Sequence, residues 1–188
     1  MKLVEPKYNQ NKLGLHLSGE AKVIGGIAFI TVVLLIGGVF LLSKQDERLN
    51  KPLLGQEVGV ISRQHVPDGT PVKYDTNPPA GGNHYPEPAH AGLYTTPPPD
   101  GNLVHSLEHG AVILWYRSNL PPNDVYRLTK IFEEIPLAKK IMTPRDSLDV
   151  SVALSSWDRV LKLKTIDEAQ IKAFFDTNMN RGPEQAPI

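Results

Sequence analysis

Five of the six histidines in this chain fall between residues 65 and 109: His65, His84, His90, His105 and His109. Imidazole is the commonest protein ligand for transition metals, so a cluster of this kind points to a metal centre. His105 and His109 lie four apart, which places them on one side of the chain whether the segment is helical or extended. They converge on one ligand under either assignment. Glu108 lies near His105 only if the segment is a helix, and is expected there to orient an imidazole rather than to bind the ion. His84 ends the run PPAGGNH, where Gly81 and Gly82 let the backbone turn tightly and present a side chain. His65 opens a proline-rich stretch in RQHVP. The expected ligands are therefore His84, His105 and His109, with His65 as the addition. His16 and His90 read as ordinary hydrogen-bonded histidines.

The chain contains no cysteine, which excludes disulfides and thiolate ligands. A metal would be held by imidazole, carboxylate, carbonyl or thioether, and three or four imidazoles without sulfur suit Zn²⁺ or Cu²⁺. Met142 and Met179 would favour Cu(I), but both are distant in sequence and are expected to pack in the core. His105-Ser106-Leu107-Glu108-His109 also matches the inverted zinc-protease string, in which two histidines bind zinc and the glutamate activates water. That chemistry needs a long helix and a further acidic ligand, whereas Gly110 and an apolar run follow at once. A zinc-dependent hydrolase with Glu108 as general base is thus the alternative to a binding site. A third reading is a non-metal structural or interaction protein whose histidines hydrogen-bond an irregular loop. No nucleophile elbow or phosphate loop is present.

The elements that must position these residues begin with an anchor. Val23 to Leu42 is uncharged and bracketed by Lys22 and Lys44. A helix of that length spans roughly 30 Å, the hydrocarbon thickness of a bilayer. Counting positive charges on either side slightly favours a cytoplasmic N-terminus. The expected order is a short cytoplasmic segment (1–22), a transmembrane helix (23–42), a polar tether (43–57), an extracytoplasmic domain (58–180) and a tail (181–188). From residue 44 onward sixteen Lys and Arg face eighteen Asp and Glu, a net charge of −2, which offers no electrostatic footprint for nucleic acid.

Nine prolines between Pro67 and Pro99 forbid long regular elements there. Tyr74, Tyr85 and Tyr94 are interleaved with them, so an ordered, irregular wrap is expected. Residues 57–61 are expected to open a short strand. Asn102 offers an N-cap and Gly110 a left-handed stop for a short helix, and AVILWY (111–116) reads as a buried strand. Val125, Leu128, Phe132 and Ile135 recur at helical spacing, predicting a helix over about 123–135. Residues 148–154 alternate as a half-buried strand, with 160–165 as its hairpin partner across Trp157-Asp158. Thr165 and Glu168 form a capping box for a last helix. The fold class is α+β: a small antiparallel or mixed sheet with two helices and a long irregular Pro/Gly-rich segment, preceded by one transmembrane helix.

YDTNPPAGGNHY, Gly92-Leu93-Tyr94 and VHSLEHGAVILWY together resemble the bacterial family labelled domain of unknown function 3105, over roughly residues 55 to 178. His65, Tyr74, Asp75, Pro78, Pro79, Gly82, His84, His105, Glu108, His109 and Gly110 match its pattern. One element departs from it. Relatives read A-W-G-R where this chain reads Ser156-Trp157-Asp158-Arg159, and a tight turn would have to be made without glycine. The resemblance implies the anchor and the fold but assigns no activity. Taken together, the sequence favours a membrane-anchored, extracytoplasmic domain that binds copper or zinc, or an accessory subunit of a larger membrane complex.

Overall fold

The computed structural model describes residues 18–188, so His16 and most of the expected N-terminal segment lie outside it. Two compact units divide between Asp46 and Glu47.

The first unit is dominated by helix α1, Gly19–Leu49. Ser18 starts it, its hydroxyl accepting the Ala21 N–H at 3.3 Å. Within it, Gly19–Phe40 is long and apolar enough to cross a membrane, and none of it is buried in the protein. Thr31 returns its hydroxyl to the Ile27 carbonyl at 3.0 Å, which satisfies the donor within the helix itself. The helix continues to Leu49, so the stretch expected as a tether begins as helix.

The second unit is a six-stranded mixed sheet in the order β1-β6-β5-β3-β4-β2. The strands are β1 (Gln56–Glu57), β2 (Gly92–Leu93), β3 (Val112–Arg117), β4 (Lys140–Arg145), β5 (Val152–Ser156) and β6 (Arg159–Leu163); the helices are α2 (Asp100–Glu108), α3 (Pro122–Glu134) and α4 (Glu168–Asn178). The central strand β3 is buried on both faces, and its alternation divides the core. Val112 and Leu114 pack with Met142, Leu154, α3 and α4 on one side. Ile113 and Trp115 pack with Ile141, Ala153 and α2 on the other. The α+β expectation holds.

Several local expectations change, among them β5, which spans Val152–Ser156 where 148–154 was expected. Strand β4 has no counterpart in the sequence reading, because Pro144 breaks the pattern that marks a strand. It pairs in parallel with β3, and β2 reaches only Ile141 and Met142. The Met142 carbonyl faces β2, where it accepts the Tyr94 N–H at 2.8 Å. Pro144, two residues on, therefore turns its missing N–H to that same side, beyond the end of β2, where no ladder bond is lost. Helix α2 begins at Asp100 with Pro99 at its N-cap, so Asn102 is not the cap; its amide instead donates to the Glu87 carbonyl at 2.7 Å. The cap of α4 is Asp167, whose carboxylate accepts from the Gln170 N–H, and not Thr165. Strand β1 is two residues long where five were expected. Asp158 makes the β5–β6 turn without glycine by taking φ +63°, and its carboxylate accepts the Gly59 N–H at 2.7 Å. Asp and Asn tolerate that left-handed region better than other side chains.

Candidate metal centre

Helix α2 is the platform. Its N-terminus is held by Asp100, which takes a two-pronged ion pair from Arg145 at 2.7 and 3.1 Å. Ser106 donates to the Ala89 carbonyl at 2.8 Å, lashing the helix to the proline-rich wrap. At the other end the Lys139 ammonium donates to the His109 carbonyl at 2.7 Å, satisfying an otherwise orphaned acceptor. On this helix Glu108 and His105 are one turn apart and share a side.

The wrap supplies the opposite wall. His65 and His84 form an isolated parallel bridge, with the Val66 N–H donating to the His84 carbonyl at 2.8 Å and the His84 N–H to the Gln64 carbonyl at 3.1 Å. Asn83 steadies it by accepting from Ser62 and from the Gln64 N–H. Tyr74 donates to the Asn83 carbonyl at 3.0 Å, and burial holds its phenol well above the usual range, with the nearby Asp100 charge adding to the shift.

These walls bring His65, His84, His105 and Glu108 together, with one ligand atom from each lying within 4.8 Å of every other. The His65, His84 and His105 rings sit 4.8 to 4.9 Å apart, centroid to centroid. His84, His105 and Glu108 are buried, and His65 is exposed. His109 is the fourth expected ligand and lies at the flank of this group, its Nε2 3.0 Å from the Nε2 of His105. His90 is exposed and takes no part; its carbonyl accepts the Tyr94 hydroxyl. Met142 and Met179 are packed in the core.

The hydrogen bonds assign the tautomers. His84 Nδ1 lies 2.8 Å from the Gly82 carbonyl, His105 Nδ1 2.7 Å from the Tyr85 carbonyl and His109 Nδ1 2.8 Å from the Pro187 carbonyl. A carbonyl only accepts, so each Nδ1 carries a proton, and Nε2 is the nitrogen of each ring that is left to ligate. Metal-ligating histidines are typically arranged in this way. The His84 Nε2 stands 2.9 Å from Glu108 Oε2, but out of line, and it has no hydrogen-bond partner. Among the described residues no lysine or arginine pairs with Glu108. A buried carboxylate facing imidazole lone pairs is unfavourable by several kcal/mol unless a cation compensates it. Burial holds the His105 pKa below its ordinary value; the Tyr85 carbonyl opposes the shift and the neighbouring histidines reinforce it. The ring is thus kept neutral and able to ligate.

The donor set fits a first-row divalent ion. With Zn–N near 2.0–2.1 Å, tetrahedral ligands stand about 3.3 Å apart. The 2.9 Å His84–Glu108 separation is close to that, and the other ligand atoms, all within 4.8 Å of one another, would draw together around an ion.

A segment singled out for no role in the sequence lies over the helix end. Gly110, at φ +85°, lets the chain reverse into β3, and its carbonyl accepts the Asn180 N–H at 2.8 Å. Gly182 passes so close to the Glu108 carbonyl that a side chain there would collide with backbone. Glu184 then donates its N–H to the Glu108 carbonyl at 3.0 Å and brings its carboxylate 3.6 Å from His109 Nε2. Nothing local in the sequence signals this, since the partners are seventy or more residues apart.

The family described as "Protein of unknown function (DUF3105)" matches residues 65–187, more than half of the chain, and the chain belongs to that family. The match begins at His65 and extends beyond α4 through this last segment. No curated protein and no solved structure matches the chain.

Proposed function

We propose that this DUF3105 protein is a membrane-anchored, extracytoplasmic metal-binding protein that holds one zinc or copper ion between His65, His84, His105 and Glu108. The observation that carries the reading is the shared arrangement: buried His84 and His105 are fixed through Nδ1 to backbone carbonyls, leaving Nε2 of each to ligate, beside a buried carboxylate that pairs with no lysine or arginine among the described residues. The all-nitrogen and oxygen donor set suits Zn²⁺ or Cu²⁺ better than Cu(I). Helix α1 supplies the anchor, and positive-inside counting slightly favours a domain outside the cytoplasm. A domain that displays an ion at the membrane surface suits holding or delivering it, alone or as an accessory subunit of a larger membrane complex.

The hydrolytic alternative gives Glu108 a different job. A general base must stand free to reach a metal-bound water. Here its carboxylate lies against His84 in the position of a ligand, which favours binding. The test is elemental analysis of the full-length protein, purified in detergent without a histidine tag. One zinc or copper per chain is expected, lost in His84→Ala and His105→Ala; wild-type protein that takes up neither metal after dialysis against each overturns the reading.

A further inference from the structure

His109 lies outside the four-residue group, yet it has the chemistry of a ligand. Its Nδ1 proton is committed to Pro187, so its Nε2 lone pair meets that of His105 at 3.0 Å. A cation held between the two nitrogens is favourable at that spacing. The Glu184 carboxylate lies 3.6 Å from the same His109 nitrogen. Exposure falls inward along this line: the side chain is 47% exposed at Glu184 and 10% at His109, against 2% at Glu108. Backbone bonds from Glu184 to Glu108 and from Asn180 to Gly110 hold the segment in place.

We infer that His109 and Glu184 form an outer position for a divalent cation, sharing His105 with the inner group, and that ions load into and leave its buried ligands by this position rather than past exposed His65. This rests on the metal reading above and adds the route by which the ion travels. Glu184 draws a hydrated cation from solvent, and His109 then displaces one of its waters. His105 is the point of transfer. Its Nδ1 is tied to Tyr85, so it has one lone pair to give and serves one ion at a time. The ion therefore passes from the Glu184–His109 pair to the His84–Glu108 pair, and the protein holds one ion per chain. Only metal–ligand bonds are exchanged. An anionic side chain at the mouth of such a path raises the association rate, and the same ligands catalyse departure.

The experiment is stopped-flow loading of full-length protein in detergent with Zn²⁺ alone, followed by release to a chromophoric chelator. Glu184→Gln should slow both loading and release about tenfold, at the lower end of the range for electrostatic guidance, with affinity unchanged within about threefold. His109→Gln should slow both further, and Glu184→Asp should restore most of the rate. Wild-type kinetics in Glu184→Gln and His109→Gln would overturn the route. Zinc affinity lost in His109→Gln as fully as in His84→Ala would make His109 an inner ligand, overturning the route and leaving the metal reading intact. Two zinc ions per chain would overturn the shared use of His105. Wild-type protein that binds no zinc or copper would remove the metal reading itself, and the route with it.

Discussion

Glu108→Gln should move the metal-free and metal-loaded proteins in opposite directions. In the metal-free protein Glu108 is a buried carboxylate 2.9 Å from an acceptor nitrogen of His84. The isosteric amide removes that charge from beside the unpartnered Nε2. Relieving one unsatisfied buried group is worth about 1–3 kcal/mol, so the metal-free variant should melt higher than the wild type. The loaded protein should lose. Removing a carboxylate ligand exceeds the 10 to 100-fold loss seen when a ligand's supporting partner is removed, so about 100-fold is a lower bound, or about 2.7 kcal/mol. At zinc equal to about 1,000 times the wild-type dissociation constant, binding stabilises the wild type by about 4.1 kcal/mol and the variant by only about 1.4 kcal/mol. At about 4 °C per kcal/mol for a domain of this size, the zinc-induced shift in Tm falls from about 16 °C to about 6 °C. Differential scanning fluorimetry of the full-length protein with chelator and with zinc reads both numbers. A variant that melts lower without metal, or keeps the full zinc shift, refutes the placement of Glu108 in the site.

Burial lowers the His105 pKa, so its contribution to metal-free stability is complete above the unfolded value of about 6.5 and is lost as pH falls through the depressed folded value; chelator-treated protein should melt progressively lower on going from pH 7.5 to pH 5. Gly110→Ala forces a side chain at φ +85° against the backbone of Asn180, and a loss of about 2 kcal/mol or more is expected in chemical denaturation. Ser155→Ala leaves the buried Trp115 indole N–H, now bonded to Ser155 at 2.8 Å, without an acceptor, and should cost about 1–3 kcal/mol by the same measurement. Full-length protein should stay in the pellet on carbonate extraction, and protease added to spheroplasts should remove the domain after α1; release by carbonate counts against the anchor, and full protection reverses the orientation.

Local physics made much of this legible. The apolar run 111–116 and the helical spacing after Pro122 need only one element each to be recognised, and both appear as β3 and α3. The β5–β6 hairpin is equally local, and Asp158 supplies its left-handed turn. What escaped depends on distant partners. Strand β4 is hidden by Pro144, which is harmless only because β2 stops short of it. The start of α2 shifted because Asn102 is used for a bond to Glu87 across the wrap. At the site, the i, i+4 spacing put His105 and His109 on one side, and the glycine turn brought His84 in. Whether Glu108 turns inward depends on the helix being formed, and Glu184 is brought to His109 by a chain reversal that no spacing encodes.

Crystals of the protein soaked with zinc, and separately with copper, and measured at the metal absorption edge address the central claim most directly. An anomalous peak is predicted about 2.0–2.2 Å from the Nε2 atoms of His84 and His105 and from a Glu108 oxygen, with His65 turned in as the fourth ligand. A peak only at surface residues outside this group, or none within it for either metal, contradicts the account.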